Sequence, residues 1–155
     1  MRLALLAAAA LSLSPMLADI AVADAADDAV KARRAYFTLL GANVGPLAAM
    51  AKGEVEYSAE TATLHADNLG ALSAVMIAPH FPEGTSKDDR FGDTRALPNI
   101  WTDFAGFAEK AEGLATAVAA LQGVAGAGRA ELGGGVQQVG AACKACHDDY
   151  RAADF

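Results

Sequence analysis

Apolar residues recur at alternating steps of three and four along four stretches of the chain, the stripe a helix turns toward a core. The clearest stretch runs Leu132, Val136, Val139, Cys143, Cys146, Tyr150. A second, Ile100, Phe104, Phe107, Ala111, Leu114, Val118, Leu121, nearly equals it. Nearer the N-terminus come Val30, Arg33, Phe37, Leu40, Val44, Leu47, and then the weaker series Ala62, His65, Leu69, Leu72, Met76. The period-two alternation of a half-buried strand is nearly absent. The pattern predicts an all-α domain of four helices.

The breaks between the stretches have physical causes. Gly53 can cap the first helix. Ser58 can N-cap the second, with Glu60 favourable in its first turn. The segment "FPEGTSKDDRFGDTRALP" is too polar and too rich in Gly and Pro to be helical, and Pro98 can open the third helix. "GVAGAGRA" separates the third from the fourth. Inside the first helix lie Gly41, Gly45 and Pro46. An interior proline costs about 3 kcal/mol, so a kink or break is predicted there. Short links make sequence neighbours antiparallel, which gives an up-down-up-down antiparallel four-helix bundle. By helix rise, Arg33 and His147 then fall at similar heights, with Phe37, Met76, Trp101 and Phe104 near the same level.

Composition adds a destination. Residues 1–25 read as a secretory signal: Arg2, the apolar run "LALLAAAALSL", and a small-residue close "AVADA" that fits cleavage after Ala25. The run falls short of the roughly 20 apolar residues a membrane span needs, and no later segment is long and apolar enough. Residues 26–155 then form one exported, soluble domain. The formal net charge is −7, and the domain stays acidic once the leader is removed, which argues against nucleic acid as a partner. The chain has two cysteines. A Cys143–Cys146 bridge would close too short a loop to stabilise much, so these thiols point to chemistry.

That chemistry is written in "CKACH". C-x-x-C-H is the attachment signature of a c-type haem. On a helix, residues three apart share a face, so both thiols can add to the vinyl groups along one haem edge while His147 offers its imidazole to the iron. A thioredoxin-like redox pair expects a βαβ setting that this chain lacks, and a zinc site lacks a clear fourth ligand. Arg33 sits in an apolar seam, where a charge is costly unless paired; it reads either as the partner of a haem propionate or as a snorkelling residue near a helix end. For the sixth iron position, Met1 and Met16 leave with the leader and Met50 lies at the far end of the first helix. His65 sits too high and reads as a surface or dimer-face residue. Met76 and His80 remain as candidates. Phe37 cannot ligate iron; it would cover the distal face and leave the metal five-coordinate. No nucleophile–base pair stands out, and Asp27–Asp28, Asp88–Asp89 and Asp148–Asp149 read as solvated surface, so the chain reads as no enzyme.

With these residues in view, the chain resembles the cytochromes c′, the class II c-type cytochromes, which are themselves standing examples of the up-down-up-down bundle. The resemblance covers essentially all of the mature chain and rests on "AVKARRAYFTLLGAN", "AAMAKGEVEY", "FPEGTS", "PNIWTDFAGFAEK" and "VGAACKACHDDYR". It implies one covalently attached haem c per chain, high-spin and five-coordinate, in a periplasmic homodimer that binds nitric oxide and carbon monoxide. It further implies thioether bonds at Cys143 and Cys146, axial ligation by His147, a propionate-facing Arg33, a distal shield at Phe37, a basic Arg151 beside the proximal face, and Thr94 and Arg95 near the haem edge. Low-spin relatives carry a ligating Met at the place of Phe37, so the gas-binding type is favoured. A six-coordinate low-spin electron carrier using Met76 or His80, serving an unidentified redox partner, is the alternative. Slow reduction of nitric oxide stays open beside its sequestration.

Overall fold

The computed structural model describes residues 16–154, with side chains from Ala25 onward. The charged start and apolar run of the expected leader, residues 1–15, lie outside the described residues. Five helices follow: α1 (Met16–Lys52), α2 (Ala59–Ser73), a short α3 (Asn99–Thr102), α4 (Phe104–Val124) and α5 (Arg129–Tyr150). A single 3-10 turn, Ala78–His80, lies in the long connection after α2. The long helices pack as α1 on α2, α2 on α4, α4 on α5 and α5 on α1. Those contacts close a ring, which is the four-helix bundle the periodicity predicts. Among the described residues no helix is long and apolar enough to cross a membrane.

The main core fills one end of that ring. Leu47, Met50, Leu69, Val118, Leu121 and Leu132 are all buried there. A second, aromatic-rich cluster of Phe81, Ile100, Phe107 and Tyr150 sits at the other end. Phe107 and Tyr150 meet edge to face there at 5.5 Å and 86°, the geometry that ring quadrupoles favour.

Two expectations about element boundaries need correction. The first concerns Pro46, which does not break the first helix: α1 continues through it to Lys52. Proline crowds the Cβ of the residue before it out of helical space, but that residue is Gly45, with no Cβ to crowd. Beyond Pro46, Leu47 is 0% and Met50 2% exposed, so burial of the last turn offsets the lost hydrogen bond. The helix then stops where expected, at Gly53 with a φ of +76°, whose N–H reaches Met50 O at 3.1 Å. The second correction is a break in the third helix. Asp103 takes φ −133° and ψ 55° and starts α4 afresh, its Oδ1 accepting from Gly106 N at 3.1 Å. Phe104 is consequently 40% exposed rather than a seam residue. Ser58 does cap α2, accepting from Thr61 N at 3.2 Å. That helix ends at Ser73, which leaves Met76 beyond it and 79% exposed.

The long connection between α2 and α3 is tied down at both ends. Near its start, Trp101 Nε1 donates to Phe81 O at 3.0 Å. Near its end, Ala96 pairs with Arg151 in an isolated antiparallel bridge. Leu97 N donates to Tyr150 O at 3.0 Å and Ala152 N to Arg95 O at 2.8 Å. The residues just past "CKACH" are thus strapped to the loop, and this strap shapes the site.

Candidate cofactor site

A cavity of about 560 Å³ opens between α1, the long loop, α4 and the C-terminal half of α5. Cys143, Cys146, His147 and Arg151 form its α5 wall. The spacing does this directly, because steps of three and four on one helix keep a common face. Arg33 and Phe37, one turn apart on α1, form the facing wall, and Thr94 and Arg95 close the loop side. The residues that the resemblance assigns to haem, the ligand candidate His147 included, all line this cavity. Met76 and His80 do not. Trp101 anchors the loop and does not line it either.

The thiols suit attachment better than redox exchange. Both cysteines are free and partly buried. Burial pushes the Cys143 thiol above its ordinary range, and burial together with Cys143 does the same to Cys146. A thiol held protonated is a poor disulfide-exchange nucleophile. His147 is pushed the other way, toward the neutral imidazole, first by burial and then by the charges of Arg151 and Arg95. Arg151 Nη1 stands 3.5 Å from His147 Nδ1.

Arg33 holds more of the structure than its place in the seam announces. It is 2% exposed. Its Nη1 donates to Thr85 Oγ1 at 2.9 Å and to His80 O at 3.3 Å. Its Nη2 donates to Thr85 O at 2.5 Å and to Thr94 Oγ1 at 2.8 Å. The guanidinium also lies over the Phe81 ring, 4.7 Å from its centre. All four acceptors are neutral, and among the described residues no carboxylate pairs with it. Desolvation by burial, helped by Arg90, lowers its pKa to about 10. A buried cation with only neutral partners, on a cavity wall, is the setting an anionic group on a cofactor would complete. The snorkelling reading does not fit this burial.

Sequence reasoning missed several contributors. Thr85 is fully buried and hydrogen-bonded to Arg33, but a threonine in a polar loop carries no pattern to mark it. Asp103 and Tyr150 join α4 to the end of α5 through a 2.6 Å hydrogen bond. An Asp directly before an apolar residue is an N-cap signal that could have marked Asp103. Tyr36 lines the cavity beside Phe37, their rings edge to face at 5.2 Å.

Comparison with known proteins agrees with this geometry. The family model described as Cytochrome C' matches residues 28–151. A cytochrome c′ of Cereibacter sphaeroides is 46% identical over 143 residues, spanning 92% of this chain and 91% of its own. Among solved structures, a cytochrome c′ from Rhodobacter Spheriodes superposes with a TM-score of 0.80 at 46% identity, covering 83% of this chain and 98% of that one. A nitric oxide complex of a cytochrome c′ mutant from Alcaligenes xylosoxidans superposes with a TM-score of 0.69 at 35% identity, covering 81% and 95%; a carbon monoxide-bound variant of the same protein has also been solved. The chain is a c-type haem protein of the electron-transfer and gas-binding kind. It belongs to the cytochrome c′ family, whose members carry covalently bound haem c, and the paired thiols, the adjacent imidazole and the uncompensated Arg33 fit that group.

Proposed function

We propose that this protein is an exported, periplasmic haem protein that holds its iron from one side and binds nitric oxide and carbon monoxide on the other. The observation that carries this reading is the content of the single wall facing His147. That wall presents Phe37 and neither histidine nor methionine, while Met76 stands exposed outside the cavity and His80 offers only its backbone carbonyl to Arg33. The haem supplies the iron that takes up the gas; the rest is the work of the chain. Cys143 and Cys146 would fix the group to α5, and His147 would offer its imidazole to the iron. Arg33 faces a propionate, and Thr94 and Arg95 bring the loop to the haem edge. Phe37 offers no hydrogen-bond donor, so it admits small uncharged diatomics that can displace its ring and disfavours ligands that need a donor.

Arg151 has a specific effect on the proximal side. A ligating histidine usually donates its second N–H to a carboxylate or carbonyl, which raises its basicity. Here the group that Nδ1 meets at 3.5 Å is a guanidinium, which donates and cannot accept. His147 therefore stays a neutral, weakly donating ligand, which suits gas binding better than a tight six-coordinate couple. Solved relatives with nitric oxide and carbon monoxide support the same choice of ligands. Exposed Leu39 and Leu64 on α1 and α2 support a homodimer through those helices, tested by a two-chain mass in sedimentation equilibrium. The redox partner is unassigned.

The test is the optical spectrum of the purified ferrous protein with and without nitric oxide. A five-coordinate, high-spin spectrum that changes on adding nitric oxide is expected. A sharp six-coordinate spectrum, indifferent to nitric oxide, would rule the reading out.

A further inference from the structure

The wall of the cavity carries hydroxyls from Tyr36, Thr38, Ser73, Thr94 and Tyr150. Most are already committed within the protein. Thr38 Oγ1 donates to Arg34 O at 2.8 Å, Ser73 Oγ to Leu69 O at 2.9 Å, and Tyr150 Oη to Asp103 at 2.6 Å. Thr94 Oγ1 accepts from both Arg33 and Ala96 N. Tyr36 alone makes no hydrogen bond to any described residue, yet no buried polar atom is left unsatisfied. Its hydroxyl is therefore open, on a half-buried ring that lines the cavity and packs against the main core.

Its position is fixed by neighbours. Tyr36 stands between Arg33, one turn before it, and Phe37, whose ring it holds edge to face. Burial raises its pKa above the ordinary phenol value, so the hydroxyl keeps its proton and can donate.

We propose that Tyr36 is a ligand-discriminating residue, the open hydrogen-bond donor on the same wall as the Phe37 shield. The wall is then not uniformly apolar. It favours bound ligands that gather negative charge on their outer atom over those that do not. This rests on the haem-based, gas-binding reading above, and it modifies the idea that the distal side has no donor.

The test compares wild type with Tyr36→Phe as ferrous carbon monoxide adducts, after mass spectrometry has shown one covalent haem in each. Tyr36→Phe removes only the oxygen and keeps the ring contact with Phe37. Loss of a donor beside bound carbon monoxide raises its stretching frequency in the infrared. Ferric cyanide affinity should fall by about tenfold or more, as expected for one lost hydrogen bond to a charged acceptor. An unchanged stretching frequency overturns the proposal, whatever the cyanide result, because it places the hydroxyl away from the ligand. A wild type that carries haem but takes up no carbon monoxide would instead sink the gas-binding reading, so the two failures are distinguishable.

Discussion

At the scale of single residues, Arg33 and Phe37 divide the work of one helical face. Arg33 is a clamp: one guanidinium gathers His80, Phe81, Thr85 and Thr94 from a loop that has little core of its own. Replacing it by Met removes four hydrogen bonds at once. Thr94 Oγ1 keeps Ala96 N and Thr85 Oγ1 keeps Pro82 O, but the Thr85 and His80 carbonyls lose Arg33, and a buried group left without a partner costs about 1–3 kcal/mol. We expect Arg33→Met to lose roughly 3 kcal/mol in denaturant unfolding of the holoprotein, and the loop to become open to protease. A loss within 0.5 kcal/mol would mean that the loop is held by other contacts. Phe37 is the opposite case. At 44% exposed it contributes little to the core, so Phe37→Ala should unfold at nearly the wild-type temperature. Its effect should appear in kinetics, as carbon monoxide association about tenfold faster, equal to a barrier lowered by ~1.4 kcal/mol. Stopped-flow rates that match wild type would remove Phe37 from the role of shield.

Element boundaries show where the sequence was legible and where it was not. A seam of steps of three and four depends only on helix geometry, so α1, α2 and α5 could be read from it, as could the caps at Ser58 and Gly53. The break at Asp103 was hidden because Ile100, Phe104 and Phe107 continue the seam across it, and the Tyr150 hydroxyl that braces the capping carboxylate lies 47 residues away. Pro46 misled for the converse reason: its local cost was visible, and the burial of Leu47 and Met50 that offsets it was not. The Asp103–Tyr150 link should also be visible in pH dependence. The Tyr150 hydroxyl and Gly106 N–H hold the Asp103 carboxyl below its ordinary value of 3.8, and Asp103 in turn pushes Tyr150 from 10.0 up to about 12. A depressed carboxyl stabilises fully above its unfolded value and loses that contribution as pH falls through the folded one. A raised phenol stabilises fully below its unfolded value and loses it as pH rises through the folded one. The link is therefore complete between about pH 4 and pH 10. Asp103→Asn should flatten the acid side of this profile, read as melting temperature against pH; an acid limb as steep as wild type would assign the loss to other carboxylates.

For the whole molecule, the cavity decides what the cofactor does for the fold. The C-x-x-C-H motif and the seam together were enough to place both thiols on the interior face of the last helix, because the motif and the stripe share one helical register. What they could not convey is how far the loop closes over that end, since Thr85, Thr94 and the Ala96–Arg151 strap are tertiary pairings with no local period. The space they line is a cleft of about 560 Å³ that opens beside the buried core and carries Phe37, Leu40, Phe81, Phe107 and Leu114 on its walls. Interiors pack to crystal-like density, so a bulky apolar group seated there would extend the core, and α5 brings the two thiols that would fix it in place. A Cys143→Ala/Cys146→Ala chain, exported without haem, should keep much of its helical far-ultraviolet signal but lose near-ultraviolet signal and bind a hydrophobic dye, the behaviour of a loosely packed bundle. If that chain instead unfolds cooperatively within a few degrees of the holoprotein, the bundle closes without its cofactor and the haem is cargo.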